Sequence, residues 1–213
     1  MKFRNLGYSL AGIAALALSG PASAAFIEVV DAGDSTSTAA SVYGANQILG
    51  QLNAVPTGPD AFDLVDLFRI KIGTPAKFYA TTGDGSDVFL IADPVLYLFD
   101  GSGLPVLMND DTDGSQSTIM GLPSGYAAGF YFLGIAFAGV EPTDGMSALF
   151  DVFGTGGVIN PSALGGWQGE PLTPNTDIAA LYAIDLMGVP EPGSLLLLSL
   201  GLLGAAASRR ARR

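Results

Sequence analysis

The 213-residue chain contains no cysteine and no histidine. Without cysteine there is no disulfide, no thiol nucleophile and no thiolate metal ligand. Without histidine there is no Ser-His-Asp or Cys-His catalytic apparatus, no imidazole ligand, and the commonest general base is missing. Any metal site must therefore be built from oxygen, a donor set that favours calcium or magnesium over zinc or copper. Cations are scarce as well. Of the 9 Lys and Arg, only Arg69, Lys71 and Lys77 lie within residues 25–188, whereas 19 of the 20 Asp and Glu lie there, Glu191 being the exception. With 3 positive against 19 negative charges, this stretch has a net charge of -16. It repels nucleic acid, whose phosphates must be met by cations, and it attracts cations itself.

Several motifs are missing too. Gly154, Thr155, Gly156 and Gly157 lack the Lys and following Ser or Thr of a phosphate loop. Asp111, Thr112, Asp113 and Gly114 interrupt the D-T-G of an aspartic protease with an extra Asp, and no G-x-S-x-G elbow occurs. No fixed-period repeat is visible, which argues against a solenoid. The positive mean hydropathy of the whole chain is raised by its two hydrophobic ends and is not read as the signature of a membrane protein.

What the middle of the chain does contain is strands. In residues 66–72, DLFRIKI, Phe68, Ile70 and Ile72 fall on one face and Arg69 and Lys71 on the other, the period of a half-buried strand. Residues 131–138 alternate too, but their second face is also apolar, which predicts a central strand. Shorter runs at 48–52, 78–82, 95–99, 106–108 and 181–186 complete the pattern. Between them stand turn formers such as Gly83, Asp84, Gly85, then Asp100, Gly101, Ser102, Gly103, then Asp144 and Gly145. No amphipathic helix of useful length interrupts them. The expected fold is all-β, an antiparallel sandwich or barrel. Residues 154–175 read as a long loop, with Trp167 as a core plug rather than an exposed stacking platform.

The most suggestive polar cluster runs from Asn109 through Asp110, Asp111, Thr112 and Asp113 to Gly114. Asn109, Asp111 and Asp113 followed by glycine match the first half of a D-x-[DN]-x-[DN]-G calcium loop. The second half fails, because position twelve is Met120 where a bidentate Glu is required and no helices flank it. An EF-hand is excluded. Two readings remain: a surface calcium site in which Asn109, Asp111 and Asp113 are joined by Asp100 or Asp93, or a solvated Asp-rich turn.

Both ends read as export signals. Residues 1–24 pass from Lys2 and Arg4 through an apolar run to Ala22, Ser23 and Ala24, the basic, apolar, small-residue order of a secretory signal peptide with cleavage before Ala25. The expected partners are the Sec translocon and signal peptidase. At the other end, residues 194–207 form an apolar run of 14 residues. As a helix it would be about 21 Å long, against a hydrocarbon core of roughly 30 Å. Pro190, Glu191, Pro192 and Gly193 precede this run, and Arg209, Arg210, Arg212 and Arg213 follow it.

That order over residues 189–213 closely resembles the PEP-CTERM sorting signal of Gram-negative bacteria. The resemblance implies an exosortase as partner, an integral-membrane cysteine transpeptidase that recognises Pro190, Glu191 and Pro192 and removes the helix and basic end. It implies an inner-membrane intermediate and a final place at the cell surface or in exopolysaccharide matrix. Prolines keep the recognition segment extended, and clustered arginines hold the end in the cytoplasm.

Within the body, residues 25–188, the stretch from roughly 45 to 140 resembles more loosely the bacterial pre-peptidase C-terminal domain. The likeness is carried by residues 66–70, 93–103, 109–111 and 129–135 in that order. It implies a jelly-roll-like sandwich, with calcium or carbohydrate binding in some members. The functional expectation is a non-catalytic surface or matrix protein, using calcium to bridge its acidic surface to anionic sugars. The alternatives are a hydrolase working with two carboxylates and an adhesin for a particular glycan or for ice.

Overall fold

The computed structural model describes residues 24–53, 62–83, 91, 93–112, 114–153, 156–172 and 180–190. The signal-peptide segment with Ala22, the turn residues Asp84 and Gly85, Asp113, and everything from Glu191 to the final arginines lie outside the described residues.

Period-two alternation is realised as strands throughout. In chain order these are β1 (Ala25–Ile27), β2 (Ala40–Val42), β3 (Gln47–Leu52), β4 (Val65–Ile72), β5 (Tyr79–Thr81), β6 (Pro94–Asp100), β7 (Pro105–Asn109), β8 (Thr118–Met120), β9 (Gly129–Phe137), β10 (Val140–Thr143), β11 (Gly166–Gly169) and β12 (Ala180–Met187). The one helical turn among the described residues is a 3-10 turn at Pro75–Lys77. All seven runs expected from alternation form strands. Strands β1, β2, β8, β10 and β11 have three or four residues each, too short to show a period.

Two five-stranded sheets, ordered β1-β3-β12-β5-β8 and β2-β4-β9-β6-β7, are accompanied by a hairpin of β10 and β11. Together they make a β-sandwich. They differ from the expected architecture in one respect: the sheets are mixed, because β1 pairs parallel to β3 and β2 parallel to β4. The reason is the path of the chain. From β1 to β4 it alternates between the sheets, and a connection that travels through the opposite sheet brings the next strand back in the same direction.

Contacts between the sheets are aromatic and apolar. Phe68 on β4 meets Tyr182 on β12 and Phe26 on β1 edge to face, with ring centroids 6.4 and 6.0 Å apart. Ile48, Leu52, Ile184, Leu186 and Ala80 from one sheet and Ile70, Ile72, Leu96, Leu98, Leu133 and Ile135 from the other are buried around them. Strand β9 lies third of five, as its doubly apolar sequence predicts. Its second face is apolar because it too is covered. The β10–β11 hairpin folds over it, placing Trp167 against Tyr97 and Phe99 at 5.4 and 6.2 Å, with Phe150 filling in beside both.

Gly134 lets this second layer approach closely, since a Cβ there would sit 3.3 Å from both Leu67 and Trp167. Trp167 is half-buried and donates its indole N–H to the Asp34 carbonyl at 2.7 Å. Residues 154–175, expected as loop, thus contain a short strand whose pairing partner lies in the preceding hairpin arm.

Leu133 is fully buried between the two layers, and truncating such a leucine leaves a cavity. Leu133→Ala is expected to lower the unfolding free energy by about 2–5 kcal/mol in urea titrations. Leu181→Ala, at a side chain 50% exposed on the outer face of the other sheet, should change it far less. Equal losses at the two positions would mean that β9 is not the centre of the core.

Candidate functional site

Strands β4 and β6 both begin opposite the end of β9, with Val65 across from Ala136 and Pro94 across from Phe137. The segments entering these strands therefore emerge at one end of the sandwich. Each of them brings aspartates.

The first acidic cluster is built on β4. Alternation places Asp66 on the same face as Phe68, Ile70 and Ile72, and it is fully buried inside the sandwich. Glu28 and Asp31, from the segment after β1, complete the group: one carboxylate oxygen from each of Glu28, Asp31 and Asp66 lies within 4.8 Å of the other two. Glu28 is held from several sides. Its Oε1 accepts the Ala32 N–H at 2.7 Å, and its Oε2 accepts the Gln51 N–H and the Tyr182 hydroxyl at 3.2 Å each.

Tyr182 also reaches Asp66 Oδ2 at 2.6 Å. One hydroxyl hydrogen cannot serve two carboxylates, and Asp66 Oδ1 is buried with no partner at all. The cluster is therefore short of positive charge. Either a proton on a carboxyl group or a cation must supply it. Gly50 makes the arrangement sterically possible, because a Cβ there would collide with Glu28 Oε2 and the Tyr182 oxygen.

Electrostatics agree with this deficit. Burial, then the Asp63 carboxylate, push the Asp66 carboxyl up to about 9, with Glu28 adding to the rise. Burial, then Asp31, Glu28 and Asp34, push Asp63 up to about 7. Burial raises the Tyr182 hydroxyl far above its ordinary value, reinforced by Asp66 and Glu28. A groove of about 630 Å³ opens beside the cluster, lined by Asp31, Asp34, Phe62, Asp63, Trp167 and Gln168 among others.

The second cluster joins Asp93, just ahead of β6, to Asp110 and Asp111, just after β7, with one carboxylate oxygen of each within 4.8 Å of the other two. Asp110 Oδ1 is buried without a partner, as is Oε1 of nearby Gln116. Burial, then Asp111 and Asp93, raise Asp110 to about 6, and burial with Asp111 raises Asp93. Ser117 fastens the cluster from behind, its hydroxyl meeting the carbonyl oxygens of Pro94, Asn109 and Asp110.

Of the five residues expected to bind calcium, the structure brings Asp93 and Asp111 together and engages Asn109 and Asp100 elsewhere. Asn109 closes β7, and its side-chain oxygen accepts the Thr118 N–H at 2.6 Å and the Thr112 hydroxyl at 2.8 Å. It works as a turn clamp. Asp100 sits at the opposite end of β6, where its Oδ1 accepts the Ser102 and Leu104 N–H groups and shapes the β6–β7 turn. Asp113 lies outside the described residues. Sequence reasoning overlooked Asp110 and the whole first cluster. Yet the period of two that assigns Phe68, Ile70 and Ile72 to the core also assigns Asp66 there, and that was the available signal.

At the opposite end the chain leaves the fold. Gly188 follows β12 and its carbonyl accepts the N–H groups of Gly73 and Thr74 at 2.8 and 3.0 Å. Val189 packs on the core, and a Cβ at Gly73 would lie 3.3 Å from Pro190. The body therefore ends directly at the first residue of the Pro-Glu-Pro element, with no spacer. Residues 188–213 match the PEP-CTERM protein-sorting motif. Motifs of this kind are recognised by an exosortase, which supports that partner. No curated protein matches the chain. The match covers the tail alone, and the body's likeness to the pre-peptidase C-terminal domain rests on the sequence blocks given above. Among the described residues no helix is long and apolar enough to cross a membrane; the apolar run 194–207, expected to be one, lies outside them, as do Glu191, Pro192 and Gly193.

The raised carboxyls set a direction for the pH dependence of the metal-free protein. Unfolded aspartates release their protons near the ordinary 3.8, whereas folded Asp110, Asp63 and Asp66 retain theirs to about 6, 7 and 9. The folded state thus binds more protons over this window, and stability in EDTA should be greatest near pH 4 and fall as pH rises towards about 9. Asp66→Asn, which keeps the shape and removes the charge, should abolish the upper part of the fall. Urea titrations at stepped pH check this; stability that climbs between pH 5 and 8 would contradict it.

Proposed function

We propose that this chain is an exported, non-catalytic protein of the cell surface or exopolysaccharide matrix. In this reading the Sec translocon carries it across the inner membrane and signal peptidase frees Ala25. The tail then holds it in the membrane until an exosortase acts at Pro190, Glu191 and Pro192. The observation that carries the reading is the sorting-motif match over residues 188–213.

Calcium is the ion we assign to the acidic end. The donors are all oxygen, the charges converge without a basic neighbour, and both clusters contain a buried carboxylate oxygen that lacks a partner. Glu28, Asp31 and Asp66 suit one ion and Asp93, Asp110 and Asp111 a second, because hard oxygen ligands at this spacing match a large divalent cation. Exposed Asp31 and Asp111 leave coordination positions open towards solvent. There a carboxylate of an anionic glycan can join the same ion, giving a calcium bridge between two acidic partners.

The non-catalytic assignment is supported by the placement of the carboxyls. Two-carboxylate hydrolysis needs an acid and a second carboxylate flanking a glycosidic bond. Asp66 is sealed inside the sandwich, and both oxygens of Glu28 are engaged by Ala32, Gln51 and Tyr182. Neither is free to flank a sugar.

Two measurements test the reading. Intact-mass spectra of protein recovered from its source should show a chain lacking its helix and arginines, and Pro190→Ala with Glu191→Ala should leave the full tail in place and the protein in the inner membrane. Identical tails in both would reject processing. Separately, saturating calcium should stabilise the protein by about 2–3 kcal/mol for each of the two sites if present at 100 times its Kd. Glu28→Gln with Asp31→Asn should remove one part of that gain and Asp93→Asn with Asp111→Asn the other. A gain equal in wild type and both variants would place calcium elsewhere, and reducing-end release from a polysaccharide would overturn the non-catalytic assignment.

A further inference from the structure

The three cations of the body are not scattered. Arg69 and Lys71 stand on the outer face of β4, where Lys71 is directly across from Phe130 at the start of β9. Lys77 closes the 3-10 turn that follows, and the carbonyl of that residue lies against Gly188, where the chain departs for its tail. Lys71 and Lys77 therefore sit at the end of the sandwich from which the tail leaves, and Arg69, in the middle of β4, extends its guanidinium towards that end over Phe130. The two acidic clusters sit at the other end.

These cations are uncommitted. Among the described residues none is paired with a carboxylate: Arg69 donates to the Tyr43 hydroxyl at 2.8 Å and lies 4.1 Å above the centre of the Phe130 ring, with Lys71 5.9 Å from the same ring. Two acids that also lie towards this end are occupied, Asp100 within its own turn and Asp185 by Gln47 Nε2 at 2.9 Å. Aromatics accompany the charge, since Tyr43 and Phe130 meet edge to face at 5.8 Å and are 54% and 39% exposed. The hairpin that covers the rest of this sheet face stops short of them. An uncovered patch of cations and aromatics is what an anionic headgroup layer attracts, the cations meeting phosphate and the rings settling at the polar boundary.

The length of the tail decides the occupant. Pro190 is still packed against Gly73, and the apolar run begins at residue 194. The four residues 190–193 span at most about 14 Å when fully extended. A body so tethered cannot avoid the bilayer surface, and a net charge of -16 makes any orientation other than cations-down repulsive on an anionic membrane. We propose that the exit end, through Tyr43, Arg69, Lys71, Lys77 and Phe130, rests on anionic phospholipid headgroups while the tail is in place, so that the acidic end faces away from the membrane. This rests on the reading of residues 194–207 as a membrane span. Its effect is to present the Pro-Glu-Pro element at the membrane surface and the cation sites to the extracytoplasmic space.

The absence of native cysteine makes the test direct. Full-length Thr74→Cys, at the exit end, and Val30→Cys, at the acidic end, are labelled with an environment-sensitive dye. They are then reconstituted into vesicles of phosphatidylcholine with or without phosphatidylglycerol, carrying a headgroup-nitroxide lipid, at low salt and in EDTA. The Thr74 position is expected to be quenched at least about twofold more than the Val30 position when phosphatidylglycerol is present, and 0.5 M salt should reduce the difference through screening. Arg69→Gln, Lys71→Gln and Lys77→Gln together should erase it while leaving flotation with the vesicles intact. Flotation with equal quenching of the two positions, or the same difference without phosphatidylglycerol, overturns the orientation and leaves the membrane span standing. Failure to float at all removes the span and the proposal with it. Quenching relieved by polygalacturonate in EDTA, with no dependence on phosphatidylglycerol, would assign this end to an acidic glycan instead and overturn it too.

Discussion

Strand β9 has to be buried on both faces, and the rest of the molecule is arranged around that requirement. Its nine residues, Gly129–Phe137, carry only apolar or glycine side chains, so leaving either face in water would forfeit most of the hydrophobic stabilisation available to the fold. One face is covered by the second sheet, the other by the β10–β11 hairpin with Trp167 and Phe150. The neighbours β4 and β6 inherit the same double cover over part of their length, which is why Val65, Leu67, Tyr97 and Phe99 are buried although they face away from the sandwich interior.

The hairpin does not reach the exit end of that face. There the outward positions of β4 become Arg69 and Lys71, and the outward position of β9 becomes Phe130. The boundary between covered and uncovered sheet is thus also a boundary between apolar and cationic residues, and both follow from the length of the hairpin. At the far end, strands β4 and β6 are entered in parallel through loops that each carry aspartates. The acidic pole is a consequence of β9 lying antiparallel between two strands that start on the same side.

Much of this was legible from the amino-acid order. Alternation marked the six strands of five or more residues, three-residue β5 was marked through the longer run 78–82 that contains it, and the apolar second face of residues 131–138 marked the central strand. Short strands were not legible, because three residues cannot establish a period, and β11 was hidden because Gly166, Gln168 and Gly169 have no strand-like side chains and depend on pairing with β10. The candidate metal residues fared unevenly for a similar reason. Spacing along a loop said nothing about which way each side chain turned: Asn109 turns towards the backbone of β8, and it is Asp110, not named by the calcium-loop pattern, that gathers beside Asp93.

The sequence by itself determined an acidic, cysteine-free and histidine-free β-body followed by a sorting tail, since charge, missing functional groups and apolar periodicity are properties of the chain in any conformation. Only the tertiary structure decided where the charges meet. Glu28 and Asp31 are distant in sequence from Asp66 and converge on it because β1 and β4 belong to opposite sheets that close on each other around Tyr182. Likewise Lys77 finds itself beside the departing tail because β12 ends against the turn that follows β4. Convergence of this kind is fixed by strand pairing and sheet closure, long-range events that no local pattern of residues encodes.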